Sequence, residues 1–161
     1  MSESCWDYPR PPRLEPARRR VRILDPAGRL LVDLPPSDVP RAWRVLETSH
    51  PPTYYVAADA LPEGAVRPGA GSSWCEWKGR ASYVDLLDAE GAVVRPRAAW
   101  TYPRPTAAYA ELAGALAFYP SAVRCLLDDE VVLAQEGDFY GGWITSEVTG
   151  PFKGGPGTLG W

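Results

Sequence analysis

Residues Arg20–Asp33 read Arg-Val-Arg-Ile-Leu-Asp-Pro-Ala-Gly-Arg-Leu-Leu-Val-Asp. Two β-forming runs, Arg20–Leu24 and Arg29–Asp33, flank Asp25-Pro26-Ala27-Gly28, in which Pro26 presets φ and Gly28 accepts a positive one. The segment reads as a β-hairpin, and the same grammar continues along the chain. Further strands are expected at Arg44–Leu46, Thr53–Ala57, Ala81–Leu87, Ala92–Trp100, Ala122–Leu127 and Glu130–Gln135, with Glu90-Gly91 and Asp128-Asp129 as hairpin turns. Helix is expected only over Thr106–Leu112, with Thr106 as N-cap and Gly114 as stop, and as a short turn in Ser37–Trp43. Short strands with turn signals every ~8–12 residues predict an all-β fold of the sandwich or barrel-like kind, with one or two short helices.

The chain has 161 residues and a formal charge of −3. A folded chain of this size buries roughly 69% of its unfolded surface, enough for a core without disulfides. The acidic balance argues against nucleic acid as a partner. No run of apolar residues is long enough to span a membrane, and residues 1–12 lack a signal-peptide pattern, so a cytoplasmic protein is expected. Cys5, Cys75 and Cys125 form no C-x-x-C pair, and with His50 as the single histidine no zinc site is expected. No metal or cofactor is implied.

Three parts are expected: a Pro/Arg-rich arm over 1–20, a core domain over 21–135, and a Gly/aromatic-rich arm over 136–161. The basic N-terminal end and the acidic C-terminal end could attract each other. Trp6-Asp7-Tyr8-Pro9-Arg10-Pro11 recurs as Trp100-Thr101-Tyr102-Pro103-Arg104-Pro105, which suggests a duplicated unit truncated in its second copy. Gly155-Pro156-Gly157-Thr158-Leu159-Gly160 matches a dinucleotide-binding pattern only formally, because no helix can follow it. The C-terminal arm, with Tyr140, Trp143, Phe152 and Trp161, needs surface to anchor its aromatics. That surface is either its own domain or a neighbouring subunit, which makes a homo-oligomer a candidate.

Chemistry concentrates in three places. Lys78 and Lys153 are the chain's two lysines against 15 arginines, and both stand in an aromatic-Lys-Gly triplet. In such a chain a lysine that persists either meets a need for its compact ammonium or stands there by chance. Residues Leu46–Tyr55 gather Glu47, His50, Tyr54 and Tyr55; His50 could act as a general base or hydrogen-bond a ligand, its alternative role being structural. On an extended segment Glu47 and His50 would face opposite sides, which weakens a direct dyad. In Ser72–Gly79, read as a strand, Trp74, Glu76 and Lys78 share one face, with Cys75 and Trp77 on the other. Cys75 is a candidate nucleophile, its alternative being a small core residue. Trp74, Trp77, Trp100 and Tyr102 could line an aromatic pocket rather than only fill a core.

Leu46–Tyr55, the Trp-Cys-Glu-Trp-Lys-Gly-x-Ala-x-Tyr run ending at Tyr83, Ala98-Ala99-Trp100-x-Tyr102-x-x-Pro105 and Ala117-Phe118-Tyr119 together resemble the bacterial domain of unknown function 427 family, over roughly Val21–Gln135. The resemblance implies a β-tent-like fold, two antiparallel sheets meeting at an angle, similar in outline to methionine sulfoxide reductase B and the thalidomide-binding domain of cereblon. Those proteins carry a four-cysteine zinc site. This chain has no paired cysteines, so neither the zinc nor the reductase chemistry carries over, and the family supplies no activity.

The leading expectation is a module that binds a small polar or anionic molecule through Glu47, His50, Tyr55, Trp74, Glu76, Trp77, Lys78, Trp100 and Tyr102. The alternatives are a metal-independent hydrolase or transferase using His50 or Glu76 with Lys78 or Cys75, and an interaction protein that self-associates through its C-terminal arm.

Overall fold

In the computed structural model, which describes residues 2–137 and 139–161, the chain is mostly β. The strands are β1 (Glu3–Ser4), β2 (Arg13–Pro16), β3 (Val21–Leu24), β4 (Leu30–Leu34), β5 (Ala42–Leu46), β6 (Thr53–Val56), β7 (Val66–Cys75) and β8 (Gly79–Leu87). They continue with β9 (Val93–Thr101), β10 (Leu116–Phe118), β11 (Arg124–Leu127), β12 (Glu130–Val131), β13 (Leu133–Ala134), β14 (Trp143–Ile144) and β15 (Val148–Thr149). A seven-stranded antiparallel sheet has the order β2-β5-β6-β10-β9-β8-β7, and a four-stranded one β12-β11-β3-β4. The all-β reading therefore holds, with two short sheets added, β1 with β15 and β13 with β14.

The hairpin read from Arg20–Asp33 forms as β3 and β4, with Val21 opposite Leu34 and Ile23 opposite Val32. Asp25 builds the turn, its Oδ1 accepting from the backbone N–H of Ala27 at 2.9 Å and of Arg29 at 2.8 Å. Val21 and Ile23 point into the main core, where they meet Tyr54, Val56, Leu86 and Phe118 from one face of the large sheet. The opposite face of that sheet is buried as well. Val45, Tyr55, Tyr83, Trp100 and Ala117 form a second cluster there, covered by Tyr109 and Leu112. Burial on both faces is why Thr53–Val56 and Leu116–Phe118 read as unbroken apolar or aromatic runs: Tyr54 serves one core and Tyr55 the other.

Several expectations are corrected. Ser37–Trp43 contains no helix: Pro35, Pro36 and Pro40 remove backbone donors, and β5 already starts at Ala42. Thr106–Leu112 is a 3-10 segment over Ala107–Leu112, kinked at Tyr109, and the Thr106 hydroxyl donates to the Trp77 carbonyl (2.6 Å) instead of capping. Glu130–Gln135 splits into β12 and β13, which belong to different sheets. β1, β2, β10, β14 and β15 have no counterpart in the expected strands, and of β7 only Ser72–Cys75 falls within a segment read as one. β7 carries Pro68, Gly69 and Gly71, tolerated because it is an edge strand with a bulge between Pro68 and Ser72. The two copies of the six-residue repeat fold differently: Trp6 sits in a 3-10 turn, Trp100 in the buried end of strand β9.

Both ends of the chain lie against the core. Arg19 bridges Asp128 (3.0 Å), Glu147 (2.9 Å) and Glu130 (3.3 Å), the attraction between basic and acidic ends that the charge distribution suggested. The Arg44 guanidinium is buried among Glu15 (2.6 Å), Glu3 (3.3 Å) and Glu147 (3.6 Å). Trp143 enters the main core, stacked on Tyr54, with its Nε1 donating to the Phe118 carbonyl at 3.1 Å. The C-terminal segment thus anchors Trp143 within the chain's own core. No described helix is long and apolar enough to cross a membrane.

Candidate functional site

On the second face of the large sheet the aromatic cluster does not close. It leaves a cavity of about 420 Å³, a size suited to a small molecule. Glu47, His50, Tyr55, Trp74, Cys75, Glu76, Trp77, Lys78, Trp100 and Tyr102 all line it. Every residue named from the sequence as a catalytic or binding candidate thus meets at one place, although they come from three separate stretches of chain.

The floor is set by strand alternation. Tyr55 on β6 and Trp100 on β9 project to the same face, and the Trp100 Nε1 donates to the Tyr55 hydroxyl at 3.2 Å. Tyr102 lies beside them, its phenol hydrogen-bonded to Cys75 and Tyr55. Burial pushes the phenols of Tyr55 and Tyr102 well above the ordinary tyrosine range, so both stay neutral donors. Tyr83 differs. Burial raises its pKa, but hydrogen bonds to Ser73, Arg97 and Tyr119 outweigh that and hold it below the ordinary value, with the Arg97 guanidinium 3.9 Å from the ring centre.

One wall is the turn of the β7–β8 hairpin. Cys75 pairs with Gly79, so Glu76, Trp77 and Lys78 form the turn itself, and the expectation that Trp74, Glu76 and Lys78 share a strand face is overturned. Trp74 and Glu76 are exposed at the rim, whereas Lys78 is only 7% exposed. Gly79 adopts φ +105°, a left-handed conformation that a side chain would strain, and it turns the chain from Lys78 into β8. The Thr106 N–H donates to the Lys78 carbonyl at 3.0 Å, fastening this turn to the segment after β9. Its ammonium lies 5.7 Å from the ring centre of Tyr102 and 5.9 Å from that of Tyr109. Among the described residues no carboxylate comes within ion-pair distance of it.

The facing wall is the β5–β6 connection. Glu47 and His50 do not diverge as an extended segment would make them. Ser49 takes φ 72° and the His50 N–H donates to the Glu47 carbonyl (3.1 Å), a turn that brings the imidazole to 3.8 Å from the carboxylate. His50 Nδ1 lies 3.0 Å from the Thr48 carbonyl, to which it can only donate, so in the neutral ring Nε2 carries the lone pair. Burial lowers the His50 pKa, with Glu47 pulling partly the other way, and keeps the ring neutral at physiological pH. The Glu47 carboxylate itself pairs with Arg10 at 3.5 Å.

Sequence reasoning did not place Tyr83, Tyr119, Phe139 or Tyr140 here, nor did it bring Lys153 to the same site as Lys78. For the residues after Gln135 the contact is long-range, with Tyr140 packing edge-on against His50 at 4.7 Å. For Lys153 a signal existed: it shares the aromatic-Lys-Gly triplet with Lys78, and Gly154, like Gly79, has a positive φ. No described cluster of three or more His, Cys, Asp and Glu is arranged to hold a metal.

No curated protein matches the chain. A family described as domain of unknown function (DUF427) matches residues 13–129, a span that carries β2 to β11 and most of the cavity wall. With nearly three quarters of its length matched, the chain belongs to the DUF427 family.

Proposed function

We propose that the protein binds a small anionic molecule in this cavity, with Lys78 as the charge partner. The observation that carries the reading is a lysine, 7% exposed as a residue, whose ammonium lies among tyrosine rings with no described carboxylate partner. A charge removed from water needs compensation, and ring faces supply only part of it. An anion entering the cavity supplies the rest. The flat walls of Trp100, Tyr102 and Trp77 suit a planar apolar body, His50 Nε2 accepts a hydrogen bond from it, and Glu47 and Glu76 hold polar groups at the rim.

Nucleophilic catalysis receives less support. Among the described residues the hydrogen-bond partner of Cys75 is the Tyr102 phenol, whereas His50 engages Thr48 and Ser49, so no base is in place to activate the thiol. The test is a thermal-shift screen of small carboxylic and phosphoric acids on wild type, Lys78→Met and Trp77→Ala. An acid that stabilises wild type should bind Lys78→Met roughly 10- to 100-fold more weakly, the worth of one charge-assisted hydrogen bond. Equal stabilisation of wild type and Lys78→Met overturns the proposal.

A further inference from the structure

We infer that the ligand carries two separated carboxylates, one held by Lys78 and the other by Lys153. The inference rests on the anion-binding reading above and extends it to the ligand's class. Both lysines of the chain line this one cavity, and none of its 15 arginines does. Lys153 is held in place by its main chain: its N–H donates to the Ser49 carbonyl at 2.8 Å and its carbonyl accepts from the Gln135 Nε2 at 2.6 Å. Gln135 is itself buried, so the backbone that carries the side chain is fixed. The ammonium lies 5.1 Å from the ring centre of Tyr140 and, like that of Lys78, has no described carboxylate partner.

The two lysines enter the cavity from different parts of its wall. Lys78 comes from the β7–β8 hairpin and Lys153 lies against the β5–β6 connection, and in the sheet those pairs of strands are separated by β9 and β10. The floor is Tyr55, Trp100 and Tyr102, aromatic side chains with little to offer a charge. The two ammonium groups lining one cavity, Lys78 buried and Lys153 half-buried, repel each other, and an anion beside each relieves that repulsion. A flat diacid neutralises both and lays its apolar middle on the floor. A phosphoryl group would put both charges at one end, and the cavity offers it no guanidinium fork. Because Lys153 lies outside the family match, this second anchor is a specificity element supplied by the C-terminal segment.

Calorimetric titration of the full chain with benzoate, benzene-1,4-dicarboxylate and phenyl phosphate separates the possibilities. Wild type should bind the dicarboxylate about tenfold more tightly than benzoate, the gain from one further charge-assisted contact, and more tightly than phenyl phosphate. Lys153→Gln should bring the dicarboxylate-to-benzoate ratio near one, and Lys153→Arg, which keeps the charge, should restore it. A ratio near one in wild type, an undiminished ratio in Lys153→Gln, or phenyl phosphate as the tightest of the three overturns the two-carboxylate inference alone. Binding of benzoate as tight in Lys78→Met as in wild type, or no binding of any of the three acids, overturns the underlying anion site as well.

Discussion

Lys78 and His50 are both placed by turns: the Lys78 ammonium lies beside the rings of Tyr102 and Tyr109, and burial takes the charge off His50. The effect on His50 has a sign that can be checked. Relative to the ordinary histidine value of 6.5, the folded-state pKa is lowered, so the unfolded chain takes up the proton first as the pH falls. The stability linked to a neutral His50 is fully present above that ordinary value and is lost as the pH drops through the folded-state value. His50 is the chain's single histidine, so its imidazole resonances stand alone in an NMR titration. Their midpoint should fall below 6.5, and urea unfolding should show less loss of stability between neutral and mildly acidic pH in His50→Asn than in wild type. A midpoint at or above that value would contradict the buried, neutral ring.

At the scale of elements, the cavity exists because connections, not strands, supply its walls. The strands were legible where each has a clear pattern and a turn beside it, as in β3 and β4, where Asp25 and Gly28 announce the hairpin. The first half of β7 was not legible, because Pro68, Gly69 and Gly71 read as loop and only its edge position makes them acceptable. The nearness of Glu47 and His50 was hidden for a related reason: it depends on a left-handed Ser49, which no propensity favours. The C-terminal wall depends on close approach. A Cβ on Gly142 would meet the Pro51 ring at a forbidden distance and the Gln135 Oε1 at 2.7 Å, while the Gly142 N–H donates to that same oxygen at 3.0 Å. Gly142→Ala should therefore cost about 2 kcal/mol in chemical unfolding. It should also weaken binding of the acid probes, since Tyr140 and Lys153 flank this contact. Unchanged stability would show that the segment is not fixed there.

For the whole molecule, both ends of the chain are bound to the core by charge and by aromatic burial, through Arg19, Arg44 and Trp143. The composition showed the charge asymmetry and the scarcity of lysine, but not that both lysines line one cavity. Ten side chains singled out from three stretches of sequence do converge, because aromatic and chemically active residues crowd the second face of the large sheet. Their assembly with the C-terminal segment is a long-range event that no local pattern encodes. The scarcity of lysine also supplies the most direct test of the anion site. Protein labelled with carbon-13 at the lysine ε position and nitrogen-15 at ζ gives two side-chain signals, and Lys78→Met identifies one of them by its loss. Titration with benzoate should move the Lys78 signal saturably, along the same isotherm that calorimetry records. A Lys78 signal that stays in place while the acid saturates the protein would contradict the assignment of this cavity as an anion site.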